Sequence, residues 1–412
     1  MPGMRIRFVT LYFPPEIGAA QRRISELARG LVRRGHQVTV LTGFPIYPTG
    51  IKPPQYKGRI FMRETIDGVS VVRVPHFIAP NKGFAKRLLI HLTFAFSASI
   101  YSLVMKRDDV IYLESPPLFN GFIGVLSKWF RRIPYLFNLA DLWPQTAVEL
   151  GILRNRQIIA AASFLERFFY RRAAKILAIT NGLRTELINR GYPENHVPLL
   201  TNGVDVDIFR EDIVPDDEIA SHCKGDNLLV LYAGTHGLIY SLDTILETAD
   251  LMRKARCRFL FVGDGAEKER LVALAAEKKL TNVTFLPPRL SHDMPAVFRA
   301  ADVVVISLKD LAISRSIMPL KCFEIMACGV PIILAAKGEM QEHISRSGCG
   351  RVIAPENAQA LADALTSFSC MSPEGRAEIG HKGRDYAIRN FSRQAGIDRL
   401  EVLMKETVAG GR

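Results

Sequence analysis

The sequence predicts an α/β protein built from two doubly wound domains. Three observations indicate this class. The chain has 412 residues, which is long for one hydrophobic core. Short apolar, strand-like runs alternate with stretches compatible with helix, as in βα units. A polar, Asp-rich passage at residues 202–227 divides this alternation into two series, so we expect two parallel sheets.

The first series opens with RIRFVTLYF, the turn PPEIGAAQ and a helix with apolar residues at helical spacing, namely Ile24, Leu27, Ala28, Leu31 and Val32. Further strand candidates follow in the order HQVTVLT, VSVVRV, VIYLES, YLFNLAD and KILAIT. This order predicts a parallel sheet with helical connections.

The second series contains LLVLYAG, RFLFVG, VTFLP, DVVVIS and VPIILA, and a helix-compatible stretch at 374–410 closes the chain. We expect one domain over residues 1–205 and a second over 206–389. The final helix, 390–412, is expected to pack on the outside or to return to the first domain.

Charge and cysteine content limit the classes of protein. Residues 1–200 contain 28 Lys/Arg and 12 Asp/Glu, although the whole chain is only +13, so the basic surface belongs to the first half. No nucleic-acid-binding motif accompanies this charge, and an anionic membrane is the favoured partner. Six cysteines without metal-ligand spacing indicate a reducing compartment. The N-terminus reads as a strand rather than a secretory signal, so we expect a cytoplasmic protein.

Residues 88–105 form an uncharged, largely apolar run with Lys or Arg at both ends. Length alone permits a membrane span. His91, Thr93 and three serines favour instead a helix that is part core and part membrane-facing. The segment FLERFFYRRAAK, 164–175, either reinforces membrane docking or is an ordinary buried helix with solvated arginines.

The stretch SIMPLKCFEIMACGVPII, 316–333, predicts a short apolar helix that keeps Lys321 and Glu324 one turn apart. With Pro319 at the first helical position, backbone N–H groups near Leu320 form an anion site, and Lys321 adds a positive charge. Glu324 can accept hydrogen bonds from the vicinal hydroxyls of a ribose. The alternative is a simple i, i+3 ion pair.

Glycines follow two strands of the second series, at GTHG and GDG, and let backbone N–H groups approach an anion. These are Gly234, Gly237, Gly263 and Gly265. Such glycines are common in turns, so their signal is weak. Arg289, in PPRL after a third strand, completes the candidate set at these strand ends.

In the first series, Gly18 can let the backbone approach a phosphate or sugar, and Glu16 can bind a hydroxyl or cap the following helix. Asp141, in FNLADLWPQTA, either faces a ligand at the end of a strand or begins a helix. No Gly-x-Ser-x-Gly elbow, HExxH motif, Walker loop or DxD-like pair occurs, which disfavours hydrolases and metal enzymes.

Several of these phrases occur together and in order in one family. PPEIGAAQRRISELARGLVRRGHQVTVLT, DLWPQTA, TNGVDVDIF, YAGTHG, FVGDGAEKERL and PLKCFEIMACGVPII resemble glycosyltransferase family 4, the retaining group 1 enzymes with the GT-B fold. DLWP and PLKCFE resemble a branch of bacterial O-antigen and capsule enzymes similar to N-acetyl-L-fucosaminyltransferases. The fold so implied has two Rossmann-like domains facing across a cleft.

The resemblance implies roles for matching residues. Glu324 is the second Glu of the family's E-x7-E element and would bind the ribose, and Lys321 would contact the diphosphate. Ser316 stands where the family has the first Glu. The Arg and Lys that commonly clamp the diphosphate are absent from GTHGLIYSLD, which leaves this task to Lys321, Arg315 and backbone donors. Gly18 lies near the phosphates, and Asp141 takes an acceptor-side position.

The implied reaction is transfer of a sugar from a UDP-sugar, with retention and without a metal or other cofactor. The expected sugar is an N-acetylated amino or deoxyamino sugar, and the expected acceptor is a glycan on polyprenyl diphosphate, at the inner face of the plasma membrane. Two alternatives are a non-hydrolysing UDP-sugar 2-epimerase and a non-catalytic, membrane-associated nucleotide-binding scaffold.

Overall fold

The computed structural model describes residues 3–16, 18–46, 50–79, 84–149, 151–223, 227–311, 314 and 318–410. The chain divides into two compact units. The N-terminal unit comprises Met1–Asn202 and Arg393–Arg412, and the C-terminal unit comprises Gly203–Ser392. These bounds lie close to the division that the sequence predicts at residues 205 and 389.

The N-terminal unit is built on a seven-stranded sheet with the order β3-β4-β2-β1-β5-β6-β7. Every pair is parallel except β3 with β4. The strands are β1 Arg5–Val9, β2 Gln37–Gly43, β3 Met62–Ile66, β4 Val69–Val74, β5 Val110–Ser115, β6 Tyr135–Leu139 and β7 Lys175–Ala178. The central strands are buried on both faces, which explains their continuous apolar runs.

Helices connect these strands and cover both faces of the sheet. They are α1 Ala19–Arg33, α2 Phe84–Val104, α3 Gly121–Arg131, α4 Gln145–Glu149, α5 Arg156–Arg172 and α6 Asn181–Asn189. Asn155 caps α5 and Thr180 caps α6 with their side chains, as expected of Asn and Thr at a helix start.

The C-terminal unit contains a fully parallel, six-stranded sheet with the order β10-β9-β8-β11-β12-β13. The strands are β8 Leu228–Ala233, β9 Cys257–Val262, β10 Val283–Leu286, β11 Val303–Ser307, β12 Ile332–Ala335 and β13 Gly350–Ile353. The helices of this unit are α7 Asp217–Ser221, α8 Leu242–Leu251, α9 Lys268–Glu277, α10 Met294–Arg299, α11 Leu320–Ala327, α12 Glu339–Ser347, α13 Ala358–Ser369 and α14 Pro373–Phe391.

The last helix, α15 Arg393–Gly410, belongs to the N-terminal unit and packs against α1. Ile397 fills the space above Gly30, where a Cβ atom would overlap the isoleucine side chain. Arg393 and Glu26 form a buried ion pair of 2.6 Å, and Arg34 pairs with Glu401 at 2.8 Å. The final helix therefore completes the core of the unit that begins the chain.

Helix α2 coincides with the apolar segment at 88–105. Within the described residues, Ala85–Val104 is the one helix long and apolar enough to span a membrane by length and composition, with a mean hydropathy of 1.4. Ile90, Phe94 and Ala98 are buried against the sheet, whereas Phe96 is 71% exposed. The helix thus has one face in the core and another at the surface. The second segment, 164–175, covers the end of α5 and the first residue of β7. Phe169 and Tyr170 are buried there, and Phe164 is exposed.

Strands β3 and β13 are absent from the sequence prediction. Strand β3 carries the polar sequence MRETI and is the antiparallel edge of its sheet, so it shows no buried apolar run. Strand β13 is a four-residue edge strand that opens with Gly350. No residue of either strand is fully buried, and the weak apolar signal that results explains both omissions.

Candidate functional site

In the C-terminal unit the strand order reverses between β8 and β11, because β8 continues to β9 on one side and β11 to β12 on the other. Ligands of open α/β sheets bind at the carboxyl ends of the strands beside such a reversal. The loop after β8 carries GTHG, and the chain after β11 leads to α11. Two of the predicted motifs therefore meet at the position where a ligand is expected.

Helix α11 begins at Leu320, and Pro319 is its N-cap. The prediction that Pro319 occupies the first helical position was wrong by one residue, because its extended ψ of 123° places it outside the helix. At the other end Gly329 adopts a φ of +65° and closes the helix. Arg384 donates to the Ala327 carbonyl at 2.5 Å, so the C-terminal carbonyls are satisfied while the N-terminal amides face the loop side.

Lys321 is the cation of this site. Its Nζ lies 4.5 Å from the ring centre of Tyr232 and 4.4 Å from that of Tyr240. It donates to the Ala233 carbonyl at 3.2 Å and to the Tyr232 hydroxyl at 3.4 Å. The ammonium is directed at the end of β8, and among the described residues no ion pair joins it to Glu324. The alternative of a simple i, i+3 pair does not describe the geometry.

Burial lowers the pKa of Lys321 to about 8, and the nearby Cys322 and Glu324 oppose this shift. Among the residues that the structure describes, no carboxylate contacts the ammonium directly, so its charge is only weakly compensated. An anion placed beside Lys321 would stabilise the charged form. This is the electrostatic character expected of a diphosphate site.

We predict that nucleoside diphosphate binding weakens as the pH rises through about 8, the value to which burial lowers the pKa of Lys321. Below that pH the ammonium is charged and attracts the diphosphate, and above it the amine is neutral. The dissociation constant should rise about tenfold between pH 7.5 and 9, which calorimetry can measure. Lys321→Met should bind more weakly and show little pH dependence, and an equally flat wild-type profile would contradict this role.

Glu324 lies one turn after Lys321, and its residue is only 8% exposed. Its neighbours Cys322, Phe323, Ile325 and Met326 are fully buried, and the ring of Phe323 packs at a tilt against Phe391 with ring centres 4.3 Å apart. Close packing of the rest of α11 fixes the position of this carboxylate. A fixed carboxylate beside an anion site can accept hydrogen bonds from hydroxyl groups of a bound ligand.

Glycine is required where the loops after β8 and β9 touch. Gly234 has a φ of +137°, and a Cβ atom there would lie 2.7 Å from Lys321 Nζ. Gly263 and Gly265, with φ of +147° and +157°, leave no room for a Cβ against the carbonyls of Gly234 and His236. Gly237 shows no such restriction, since the nearest atom would be 3.4 Å away. Three of the four predicted glycines therefore permit the close approach of backbone.

His236 and the two tyrosines are site residues that the sequence prediction missed. His236 is fully buried, and burial lowers its pKa to about 4, so its ring is neutral. Within the described part of the chain neither ring nitrogen has a hydrogen-bond partner. Tyr232 was predicted only as part of a strand. Successive side chains of a strand point to opposite faces, and at the end of β8 the ring of Tyr232 lies against Lys321.

The remaining predicted contacts of this unit differ in position. Arg289 forms an ion pair with Glu218, and this pairing raises its pKa. Its guanidinium is therefore paired within the protein, and its role in nucleotide binding stays a prediction. Arg315 and Ser316 lie outside the described residues. Leu320 begins α11 as expected of a residue at the anion site.

In the N-terminal unit, Asp141 lines a cavity of about 190 Å³ at the carboxyl ends of β5 and β6. The other lining residues are Arg87, Leu88, His91, Pro116, Pro117, Leu118, Phe119, Trp143, Thr146, Ala147 and Ile152. Burial raises the pKa of Asp141, and the Thr146 hydroxyl donates a hydrogen bond to its carboxylate. Burial and the neighbouring Arg87 lower the pKa of His91 to about 4. The cavity thus joins apolar walls to an acid of raised proton affinity.

Glu16 and Gly18 follow β1 as predicted, but Glu16 has a different role. Its carboxylate accepts the N–H of Ile46 at 2.9 Å and the N–H of Phe13 at 3.3 Å, and the residue is buried. Glu16 therefore holds two loops together. Of its two predicted alternatives, capping of α1 does not occur because Gly18 is the N-cap, and binding of a ligand hydroxyl stays a prediction. The extended φ of Gly18 places no demand on glycine.

A buried ion pair between Arg23 and Glu114 lies close to the reversal between β1 and β5 and was not predicted. Asn138 donates to Glu114 at 3.0 Å, and Arg23 donates to Asn202 at 2.8 Å. These contacts fix α1 relative to the sheet. Among the residues that the structure describes, no group of three His, Cys, Asp or Glu could hold a metal ion.

Comparison with known proteins agrees with this architecture. Residues 18–203 match the profile of the glycosyl transferase 4-like domain, and residues 216–386 match that of glycosyl transferases group 1. WcaI of Escherichia coli K12, assigned to colanic acid biosynthesis as a glycosyl transferase, is 23% identical, with 95% of this chain and 97% of that protein aligned.

Solved structures show the same fold. The sucrose-phosphate synthase of Thermosynechococcus elongatus superposes with a TM-score of 0.75 at 19% identity, over 99% of this chain and all of that one. HepE of Anabaena, solved with UDP-glucose, superposes with a TM-score of 0.69 at 16% identity, over 99% of this chain and all of the other. With two consecutive family profiles and a full-length GT-B fold, this chain belongs to the family 4, group 1 glycosyltransferases.

Proposed function

We propose that the protein transfers a sugar from a UDP-sugar to a glycan acceptor carried on polyprenyl diphosphate, with retention at the anomeric carbon and no metal ion. The proposed sugar is an N-acetylated amino or deoxyamino sugar, and the proposed place of action is the cytoplasmic surface of the membrane. The observation that carries this proposal is the position of Lys321 and the α11 amides beside the loop after β8.

The arrangement suits a diphosphate leaving group. Negative charge grows on the diphosphate as the glycosidic bond lengthens, and fixed N–H dipoles with a cation stabilise that charge. Lys321 is already held in place by two aromatic rings and a carbonyl, so little reorganisation is needed when the charge develops. Glu324, one turn later, would bind the ribose hydroxyls of the same nucleotide.

Asp141 is proposed to orient the acceptor hydroxyl and to accept its proton. Its raised pKa gives the carboxylate a greater proton affinity than an exposed Asp, which favours proton transfer. The apolar and aromatic walls around it, including Phe119 and Trp143 with ring centres 5.9 Å apart, suit the apolar face of a sugar ring. Uracil as the base of the nucleotide is supported by the likeness to HepE, which was solved with UDP-glucose.

A thermal-shift screen of UDP, GDP, ADP and UDP-sugars tests the nucleotide. A ligand at a hundred times its dissociation constant stabilises a folded protein by about 2.7 kcal/mol, so UDP and the matching UDP-sugar should raise Tm by several degrees. Lys321→Met, compared at the same concentrations, should lose most of this increase. Selective stabilisation by GDP or ADP would contradict the proposed base, and no stabilisation by any nucleotide would contradict the donor site.

A further inference from the structure

Helix α2 is apolar on two opposite faces. Its inner face places Ile90, Phe94 and Ala98 in the core of the N-terminal unit. Its outer face carries five exposed apolar residues at helical spacing, and they fall within an arc of about 120° at 100° per residue. These are Leu89 (43% exposed), Leu92 (41%), Phe96 (71%), Ile100 (52%) and Val104 (72%), here called the outer stripe. Surface helices of soluble proteins normally carry polar residues there.

Neighbouring segments extend this apolar surface. Phe61, 40% exposed, contacts Tyr101 of α2 with tilted rings whose centres are 4.8 Å apart. Phe77, also 40% exposed, donates its backbone N–H to Thr93 of α2 at 2.8 Å. The outer stripe is therefore part of a wider patch, and apolar patches of this kind mark interaction sites.

Basic residues mark both ends of the stripe. Lys86 and Arg87 stand at the N-terminal end and Lys106 and Arg107 just beyond the C-terminal end, and all four are exposed. Within the described residues none of these four forms an ion pair with a carboxylate. An apolar stripe about 23 Å long with these cations at both ends complements a surface that is apolar inside and anionic at its edge.

The polar residues of α2 tie it to the rest of the unit. Ser97 donates to the Pro75 carbonyl at 2.5 Å, and Arg7 donates to the Ser102 and Lys106 carbonyls at 3.0 and 3.1 Å. Arg7 itself is fully buried and paired with Asp108. A helix that crossed a membrane would have to leave these partners and uncover Arg7. The helix is therefore built to remain on the sheet and to present one face.

We propose that the outer stripe of α2 lies in the interface of a bilayer containing anionic lipid, with the helix parallel to the membrane and its basic ends on phosphate groups. This inference deepens the proposed membrane location and does not depend on the identity of the sugar or nucleotide. It assigns the contact to one face of one helix. Amphipathic surfaces bind membranes in this way through buried apolar area and attraction to anionic headgroups.

Co-sedimentation with vesicles tests the proposal. The full chain should sediment with phosphatidylcholine vesicles that contain 30% phosphatidylglycerol and much less with pure phosphatidylcholine. Phe96→Glu should reduce the bound fraction at least tenfold, and Arg87→Gln should weaken binding to anionic vesicles about fivefold. Leu251→Glu is the matched control, because Leu251 is a 58% exposed leucine on α8 of the C-terminal unit, and it should bind as the wild type does.

Depth is tested with Phe96→Trp in a chain whose two tryptophans, Trp129 and Trp143, are replaced by Phe. Lipids brominated near the headgroup end of the acyl chain should quench this tryptophan more than lipids brominated near the chain terminus. Equal sedimentation of Phe96→Glu and the wild type would overturn the proposal. So would resistance of the bound protein to high salt and carbonate, which indicates a spanning helix, or a wild-type dimer that Phe96→Glu dissociates.

The nucleotide screen on the same preparation separates the two hypotheses. Vesicle binding without any nucleotide response supports the outer stripe and contradicts the proposed transferase donor. A UDP response without vesicle binding leaves the donor site supported and overturns the membrane face. Each negative result therefore contradicts one of the two proposals and leaves the other standing.

Discussion

Glu324→Gln is expected to lower kcat/KM for sugar transfer by roughly a hundredfold, since a hydrogen bond to a charged acceptor contributes about 1.5–3 kcal/mol. Glu324 is 8% exposed, and the packing of α11 fixes its position. It can accept two hydrogen bonds from vicinal hydroxyls, whereas the Gln amide keeps one acceptor and turns two donors toward the ligand. Gln has nearly the same volume, so the fold should remain.

The ribose assignment is tested with UDP and its 2′,3′-dideoxy analogue. Wild-type protein should bind the analogue much more weakly than UDP, and Glu324→Gln should bind the two with similar affinity, as a double-mutant cycle requires. Glu277→Gln is the control, because Glu277 is exposed on α9 and should leave turnover and discrimination unchanged. Full turnover of Glu324→Gln, or undiminished discrimination, would contradict the assigned role.

Asp141→Asn is expected to reduce transfer by about 10²–10⁴-fold while UDP binding stays at the wild-type level. The amide is close to isosteric but cannot accept a proton from the acceptor hydroxyl. Asp141 belongs to the N-terminal unit, and Lys321 and Glu324 belong to the C-terminal unit. Loss of transfer with intact nucleotide binding is therefore the signature of an acceptor-side residue, measured by a product assay together with calorimetry.

Thr146→Val separates this role from a structural one. The hydroxyl of Thr146, which lies in α4, donates a hydrogen bond to the carboxylate of Asp141, which precedes that helix. This contact agrees with the alternative that Asp141 merely begins a helix. Asn can still accept that hydrogen bond, so Asp141→Asn should leave Tm nearly unchanged if capping is the only role. If Thr146→Val lowers both Tm and transfer, and Asp141→Asn lowers neither, the catalytic assignment fails.

Most of the fold could be predicted because parallel strands that are buried on both faces appear in the sequence as continuous apolar runs. VSVVRV and VIYLES coincide with β4 and β5 at both ends. The edge strands β3 and β13 escape this rule because none of their residues is fully buried, whereas the edge strands β7 and β10 keep the apolar sequences KILA and VTFL. Helix ends also followed local chemistry, as at Gly329, where a positive φ closes α11.

The candidate site could be predicted only in part. Lys321 and Glu324 could be predicted because burying a charged residue in an apolar helix is costly unless it has a partner or a ligand. Tyr232, Tyr240 and His236 carried no such signal, since aromatic residues at the end of a strand normally report burial. The sequence also does not show that Arg289 is paired with Glu218 or that Glu16 accepts backbone N–H groups.

The return of the last helix sets the order in which the protein can finish folding during synthesis. Leu400 and Met404 of α15 help to cover Ile24 and Leu27 of α1, but the 190 residues Gly203–Ser392 are made in between. At 5–20 residues per second this interval lasts roughly 10–40 s. The contiguous C-terminal unit is therefore synthesised in full before α15 can cover the apolar residues of α1.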